Sequence, residues 1–299
     1  MSLDPSICGE AERLNQAATD CEEEGRLAEA VALYEAASRA APEWGVPWYN
    51  LGLLYKRQRS WDKSLRYNRK AVQLSPGEGD PAWWNLGIAA TALGDWPTAR
   101  AAWKAFGLEI SEGEGPIEED YGLVPIRIRP DDLGETIWSR RIDPARAILE
   151  NVPFPDSGHR WRDLVLHDGA PNGHRMLHGE EVPVFDGLDL LAPSPFSTFV
   201  AAVSAVSPET AEALIGLLDQ LPDVLAEDWT GNVRFLCRAC SEGRPHDHHD
   251  HAVAGTKAWN PERRIGIAAR TADAVQAVLA EWCHAGKGSL TSFECELAG

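Results

Sequence analysis

The apolar residues of this chain follow one pattern in the first third and another in the remainder. In the first third they recur in matching blocks: Trp48-Tyr-Asn-Leu-Gly52 and Trp83-Trp-Asn-Leu-Gly87 lie 35 residues apart. Further along, the segment 124–129 alternates apolar and polar residues, as a half-buried strand does. The pattern therefore predicts a repeated unit in residues 8–110 and β-strands after it.

Aromatic, small and proline residues extend the match and define three copies of a unit of about 34 residues. The matching residues are Tyr34, Ala37 and Pro42, then Tyr55, Ala71 and Pro76, then Gly94, Ala99 and Trp103. This pattern resembles the tetratricopeptide repeat (TPR) family, in which each repeat is a pair of helices. We therefore expect a TPR helical solenoid of three repeats, with Gly52 and Gly87 where paired helices touch. The tryptophans Trp48, Trp83 and Trp103 are expected to fill the spaces between repeats.

Stacked repeats of this family form a concave groove lined by the first helix of each pair. By resemblance, the groove residues are Gln16, Asn50 and Asn85, with Tyr49, Trp84 and Arg57 nearby. The subtype that binds acidic chaperone tails also has lysines one turn earlier, where this chain has Glu12, Val46 and Pro81. The resemblance thus implies another protein or peptide as partner, though not such a tail. The alternative is that the chain's own C-terminal region fills the groove.

The middle of the chain predicts β-structure after a polar connection. Residues 111–122 are acidic and glycine-containing, and we interpret them as a linker. Within the β-rich segment 123–195, strand-like runs and a possible hairpin turn at 178–181 predict a small barrel or sheet of four or five strands. Asp143 followed by proline predicts a short helix. The histidines His167, His174 and His178 are interpreted as surface turn residues beside glycines, and the alternative is a catalytic or metal cluster with Asp168.

Residues 196–299 contain two strand–helix–strand units. The first has a strand at 198–203, a helix capped by Ser207 and a strand within 228–237. The second has a strand at 264–269, a helix capped by Thr271 and a strand at 290–297, where Cys295 is expected on the apolar face. The order β-α-β-β-α-β predicts a ferredoxin-like α+β domain. That arrangement hosts many functions and predicts no activity by itself.

A cysteine and histidine cluster lies between those two units. Cys237 and Cys240 form a CxxC pair, and four histidines follow: His246, His248, His249 and His251. Thiolate and imidazole are ligands that zinc prefers, and a connection this long needs something to order it. The loop 237–251 therefore predicts a structural zinc site, in which the sequence leaves open which two histidines bind. A redox-active dithiol and a loop that binds metal only loosely are the alternatives.

Composition and charge make some classes of partner and some cellular locations less favourable. The chain of 299 residues has 28 Lys+Arg against 46 Asp+Glu and a formal net charge of −18, which disfavours nucleic acid and anionic membranes as partners. It has no apolar run long enough to span a membrane and no signal-peptide pattern, and its six scattered cysteines favour a reducing cytoplasm.

No catalytic residue is assigned, because no P-loop, Rossmann or GxSxG motif occurs. We therefore expect a cytoplasmic protein–protein interaction adaptor. One alternative is a metal-dependent enzyme that uses the Cys/His cluster. Another is a regulatory module that binds a small molecule in the C-terminal domain.

Overall fold

The computed structural model describes residues 5–75, 77, 79–129, 134–230 and 259–299. The chain divides into two compact units, Met1–Glu118 and Glu119–Gly299. In the parts of the chain that are described, no helix has both the length and the apolar character needed to cross a membrane.

The first unit consists of helices that follow one another closely along the chain. They are α1 (Pro5–Glu23), α2 (Leu27–Ala40), α3 (Gly45–Arg57), α4 (Trp61–Leu74), α5 (Pro81–Ala92) and α6 (Trp96–Phe106). Each helix contacts its neighbours in sequence, and α3 also contacts α5. The expected helical repeat is therefore confirmed as three successive helix pairs.

The turn inside each pair uses the same backbone conformation. Gly25, Arg59 and Gly94 occupy equivalent repeat positions and have φ angles of 77°, 56° and 70°. Glycine adopts this left-handed region without a steric cost, whereas Arg59 must bear one. In the third pair, the carboxylates of Asp80 and Asp95 accept hydrogen bonds from backbone N–H groups and so begin α5 and α6.

Small residues lie where the paired helices touch, as the sequence predicted. A Cβ atom on Gly87 would lie 2.6 Å from the Trp103 ring, and one on Gly52 would lie 2.5 Å from the Asn68 side chain. The expectation that Trp103 fills a space between repeats is wrong, because its ring packs on α5 within its own pair. Trp48 and Trp83 do pack against a cluster that joins the second and third pairs.

The segment after α6 packs back on that helix. Arg100 is buried on α6, and its guanidinium donates to the backbone carbonyls of Gly115 and Ser111, both at 2.7 Å, and of Pro116 at 3.1 Å. Ile117 is buried beyond these contacts. Part of the stretch interpreted as an acidic linker is therefore held against the third helix pair.

The second unit begins with a closed barrel. Its strands are β1 (Leu123–Ile128), β2 (Glu135–Arg141), β3 (Arg146–Leu149), β4 (Leu164–Leu177) and β5 (Glu180–Ala192). Successive strands pair antiparallel, and β1 closes the barrel by pairing in parallel with β5. The expected hairpin turn is confirmed: His178 and Gly179 both have positive φ angles, as a two-residue turn of this kind requires.

The short helix predicted after Asp143 is wrong. The Asp143 carboxylate accepts hydrogen bonds from the N–H groups of Ala145, at 2.7 Å, and Arg146, at 2.6 Å, much as a helix cap does. The chain then extends into β3 because Ala147 and Leu149 enter the barrel core and β3 pairs on both sides. Long-range pairing thus overrides a local helix signal.

The rest of the second unit is a four-stranded sheet with two helices. Its elements are β6 (Ser197–Ala205), α7 (Pro208–Asp219), β7 (Leu225–Asp228), β8 (Glu262–Ala269), α8 (Asp273–His284) and β9 (Gly288–Leu297). The strand order is β7-β8-β6-β9, and each neighbouring pair is antiparallel. Leu214, Leu279 and Trp282 of the helices pack with Ile265 and Ile267 of the sheet.

Three details of this part differ from the sequence prediction. A strand lies at Leu225–Asp228, ending where the strand expected within 228–237 was to begin, and residues 231–258 are outside the described residues. Helix α8 begins after Ala272 with no side-chain cap, so Thr271 does not cap it. Cys295 is exposed on β9 and is not a core thiol.

The barrel and the sheet pack together within the second unit. Val152 and Phe154, which follow β3, meet Val200 and Trp229 in an apolar cluster. Asn151 donates to the Glu227 carboxylate at 2.6 Å beside this cluster.

Candidate functional site

The predicted groove residues all lie on the first helices of the three pairs. Gln16 is on α1, Tyr49, Asn50 and Arg57 are on α3, and Trp84 and Asn85 are on α5. Each of the three helix pairs therefore contributes at least one of these side chains from its first helix.

Two residues of α3 bind side chains of α1 across the first two pairs. Asn50 Nδ2 donates to Asn15 Oδ1 at 3.0 Å, and Arg57 forms an ion pair with Glu22. Gln16 instead donates to Asp20 within its own helix, at 2.9 Å. The structure therefore brings Asn50 and Arg57 to the same α1–α3 boundary, while Gln16 bonds along α1.

The two predicted residues of α5 contribute mainly to packing. Asn85 is only 4% exposed. The half-buried Trp84 ring makes edge contacts with Trp103 and Phe106, with ring centroids 5.0 and 4.9 Å apart. Both residues therefore belong to the interior of the third pair more than to an open surface.

A cavity of about 430 Å³ lies between α3 and α5. Its walls are largely apolar and are formed by Trp44, Val46, Tyr49, Leu74 and Pro81. Val46 is 42% exposed, so part of its side chain faces solvent at the edge of the cavity.

One carboxylate lies among these apolar walls. Asp80 Oδ1 accepts from the N–H of Ala82 at 2.8 Å, and Oδ2 accepts from the Ser75 hydroxyl at 3.0 Å. Both oxygens are therefore held in place by the start of α5 and the end of α4. The cavity presents apolar surface with a fixed negative charge at one side.

Only part of this cavity was predictable from the sequence. Tyr49 was a predicted groove residue, whereas Val46 and Pro81 were noted only as departures from a lysine-bearing subtype. The available signal was that apolar residues replace charge at two equivalent repeat positions, 35 residues apart. Leu74 could not be found in this way because it reaches the cavity from the second helix of its pair.

The predicted metal ligands Cys237, Cys240, His246, His248, His249 and His251 lie outside the described residues. Within the described ranges, no group of three or more His, Cys, Asp or Glu side chains is arranged to hold a metal ion.

The predicted turn histidines have different environments. His174 and His178 are exposed, as expected, but His167 is fully buried in the barrel, so its assignment as a surface residue is wrong. Its Nδ1 lies 2.7 Å from the carbonyl oxygen of Asp168, and its ring lies 5.3 Å from that of Phe185. Burial, and then the charge of Arg141, lower the pKa of His167 to about 3.

No family model and no curated protein matches this chain. Among solved structures, it is similar to the first TPR of Spaghetti (RPAP3) bound to the HSP90 peptide SRMEEVD, with 21% identity and a TM-score of 0.31 over 33% of this chain and 77% of that chain. It is also similar to the N-terminal domain of stress-induced protein-1 (STI-1) from C. elegans, with 14% identity and a TM-score of 0.32 over 34% of this chain and 89% of that chain.

A third similar structure is the second TPR of Spaghetti (RPAP3) bound to the same peptide, with 17% identity and a TM-score of 0.31 over 33% of this chain and 91% of that chain. All three similarities fall on the helical third of the chain, and the second unit has no named family. With three helix pairs that repeat about every 35 residues, the N-terminal unit is a TPR-like helical region.

Proposed function

We propose that the N-terminal unit binds a segment of another protein along α1, α3 and α5, with one apolar side chain of that segment in the cavity between α3 and α5. The observation that carries this proposal is the cavity itself. Its volume of about 430 Å³ lies within the range of ligand pockets, and its walls are mostly apolar. Burying an apolar side chain there removes both surfaces from water, which favours binding.

The charge around the cavity selects among partner segments. Asp80 is fixed at its side, and Val46 and Pro81 replace the lysines that would attract a carboxylate. A neutral or basic segment therefore suits this site better than an acidic one. Asn50 and Arg57, at the α1–α3 boundary, offer an amide and a guanidinium to the backbone of the same segment.

The alternative occupant is the chain's own C-terminal region. Strand β9 pairs with β6 from Gly288 to Leu297, so that strand is committed to the sheet of the second unit. This pairing favours an external segment over the C-terminal strand.

The proposal can be tested with a phage-displayed library of random peptides of about 12 residues, selected on the full chain. Peptides that emerge are synthesised and titrated by calorimetry against wild-type protein, Val46→Lys and Tyr49→Ala. We expect a recurring large apolar residue in the peptides. Both variants should bind them at least about tenfold more weakly, a loss of about 1.4 kcal/mol.

The matched control is Lys104→Ala on α6, where an exposed lysine pairs with the exposed Glu112. This variant should bind the peptides as the wild type does. Selected peptides that bind all four proteins equally, or a selection that enriches no sequence, would contradict binding at this cavity.

Two further proposals concern the second unit. We infer that its sheet has the ferredoxin-like arrangement, supported by the element order β-α-β-β-α-β and the strand order β7-β8-β6-β9. We also propose that zinc orders the segment 237–251, which lies between the paired strands β7 and β8. Support for this comes from the CxxC pair and the four histidines that follow it.

A further inference from the structure

A second cavity of the first unit lies between the second helices of the first two pairs. It has a volume of about 450 Å³ and lies between α2 and α4. None of its lining residues belongs to the cavity between α3 and α5. Its floor is aromatic, because the rings of Trp48 and Tyr67 lie side by side with centroids 6.1 Å apart.

Cations of α2 and α4 surround this aromatic floor. The guanidinium carbon of Arg66 lies 4.6 Å from the centre of the Tyr67 ring, and Lys70 Nζ lies 5.9 Å from that of Trp48. Attraction between a cation and a ring face holds both charges over the floor. Arg39, on α2, adds a third cation to the lining.

Only one carboxylate lines the same cavity, and it is already engaged. Glu35 Oε1 accepts from the Tyr67 hydroxyl at 2.9 Å, while Oε2 lies 3.8 Å from Arg39. In the described part of the chain, Arg66 has the Tyr67 hydroxyl as its polar contact, at 2.7 Å, and no carboxylate pairs with Lys70. Three cations against one carboxylate leave two positive charges.

This surplus is unusual for the molecule that contains it. The whole chain has 46 acidic against 28 basic residues, and several other arginines of the same unit have carboxylate partners. Arg26 pairs with Glu24 and Glu29, and Arg69 pairs with Asp95. A local positive site on an otherwise acidic surface attracts a short anionic group, while the rest of the surface repels a long polyanion such as nucleic acid.

We propose that this cavity binds an acidic peptide segment of a partner protein. Carboxylates of the segment lie against Arg66 and Lys70, and an apolar side chain between them lies on the half-buried Trp48 ring. The aromatic floor supplies apolar contact, and the cations fix the position of the carboxylates. This site is separate from the cavity between α3 and α5 and prefers the opposite charge, so it does not depend on the function proposed above.

The test uses the full chain and a phage-displayed library of peptides rich in glutamate and aspartate. The library is selected on wild-type protein after removal of phage that bind the double variant Arg66→Glu, Lys70→Glu. Enriched peptides are then synthesised with a fluorescein label and titrated by fluorescence anisotropy. We expect acidic peptides with at least one large apolar residue, and binding at least about tenfold weaker to the double variant.

The control carries the same change of net charge outside the cavity, in the double variant Lys63→Glu, Lys104→Glu. It should bind the acidic peptides within about twofold of wild type, and so should Val46→Lys. Replacing each glutamate of a selected peptide by glutamine should abolish binding. Failure to enrich any acidic peptide overturns the proposal. Equal weakening by both double variants also overturns it, because attraction would then come from overall charge alone.

Discussion

Asp143 and Asp120 each form an ion pair with an arginine in the second unit, but only Asp143 is buried. The side chains of Asp143 and Arg146 are 1% and 6% exposed, whereas those of Asp120 and Arg140 are 64% and 47% exposed. Asp143 also accepts two backbone hydrogen bonds that shape the turn before β3. Removing Asp143 would take a charged acceptor away from a buried guanidinium and from two backbone N–H groups.

We therefore expect Asp143→Ala to lower the free energy of unfolding by about 3–5 kcal/mol, the usual cost of breaking a buried ion pair. The change is measured by urea denaturation at neutral pH. The matched variant Asp120→Ala should be indistinguishable from wild type, because water replaces an exposed partner. Equal losses in the two variants would show that burial does not govern these pairs.

His167 makes the free energy of unfolding of the second unit depend on pH. Its pKa is about 3 in the folded protein, because burial first and the charge of Arg141 second oppose protonation, against an ordinary value of 6.5. Between these values the unfolded chain binds a proton that the folded protein does not. Its contribution to stability is therefore complete above pH 6.5 and is lost as the pH falls towards 3.

We expect His167→Asn to remove this dependence. Between pH 7.5 and 5.5, the wild type should lose more unfolding free energy than the variant, with a limiting slope of about 1.4 kcal/mol per pH unit. Urea denaturation at several pH values measures the difference. The control His178→Asn changes an exposed turn histidine whose left-handed backbone asparagine tolerates, and it should keep the wild-type slope. Identical slopes for wild type and His167→Asn would contradict the assignment.

The environment of His167 could not be predicted from its neighbours in sequence. The polar and glycine residues that follow His167 in the sequence, Asp168 and Gly169, indicated a surface turn. The ring is nevertheless inside because closure of the barrel brings Phe185 of β5 against it, and Arg141 of β2 lies over the Phe185 ring. Burial of this residue is a property of strand pairing and not of the local sequence.

The two helices that pack on the four-stranded sheet begin in different ways. Helix α7 has a complete capping box, in which Ser207 and Thr210 exchange side-chain and backbone hydrogen bonds. Helix α8 begins at Asp273 after Ala272 and has no side-chain cap. The sequence suggested a cap for both helices, at Ser207 and at Thr271.

We expect Ser207→Ala to lower the free energy of unfolding by about 1 kcal/mol, because the N–H of Thr210 in the first turn of α7 loses its side-chain acceptor. Thr271→Ala is the matched control and should have little effect, since Thr271 makes no cap. Hydrogen exchange read by mass spectrometry can compare the two helices within one protein. The exchange rate of each helix is compared with that of the same helix in the wild type. A larger increase in α8 of Thr271→Ala than in α7 of Ser207→Ala would contradict the observed caps.

Elements with strong periodic patterns were predictable, and elements fixed by long-range pairing were not. β1 follows from the alternation of its own residues, β6 from a short apolar run, and α7 from helical spacing. Strand β3 has only four residues and follows an Asp-Pro pair, so its local signal favoured a helix. The cavity between α3 and α5 was also missed, because Leu74 and Asp80 join it only when the pairs stack.

The zinc site proposed for the segment 237–251 can be tested on the whole protein. Purified full-length protein should contain about one zinc ion per chain by mass spectrometry. Cys237→Ser should lose the metal and lower the melting temperature, because metal binding contributes to folding. The matched control Cys295→Ser changes an exposed thiol on β9 and should retain the metal. Wild-type protein without zinc, or Cys237→Ser with a full complement, would contradict the site.

The overall arrangement was predictable where the sequence repeats itself. The matching tryptophan blocks indicated three helix pairs, and the order of strands and helices after residue 196 indicated two strand–helix–strand units. The sequence did not decide between a closed barrel and an open sheet for residues 123–195. Closure depends on the parallel pairing of β1 with β5, which joins residues about 60 positions apart. A pairing between residues so far apart cannot be predicted from a local sequence pattern.

The contacts of Arg100 determine where the helical region can be cut for separate study. A fragment ending at residue 110 would keep α6 but remove Ser111, Gly115 and Pro116, whose carbonyls receive three hydrogen bonds from this guanidinium. It would also lose Ile117 from its buried position. An expression fragment that extends through residue 118 retains these carbonyls, so the segment 107–118 that follows α6 is best kept with the helical unit as its terminal cap.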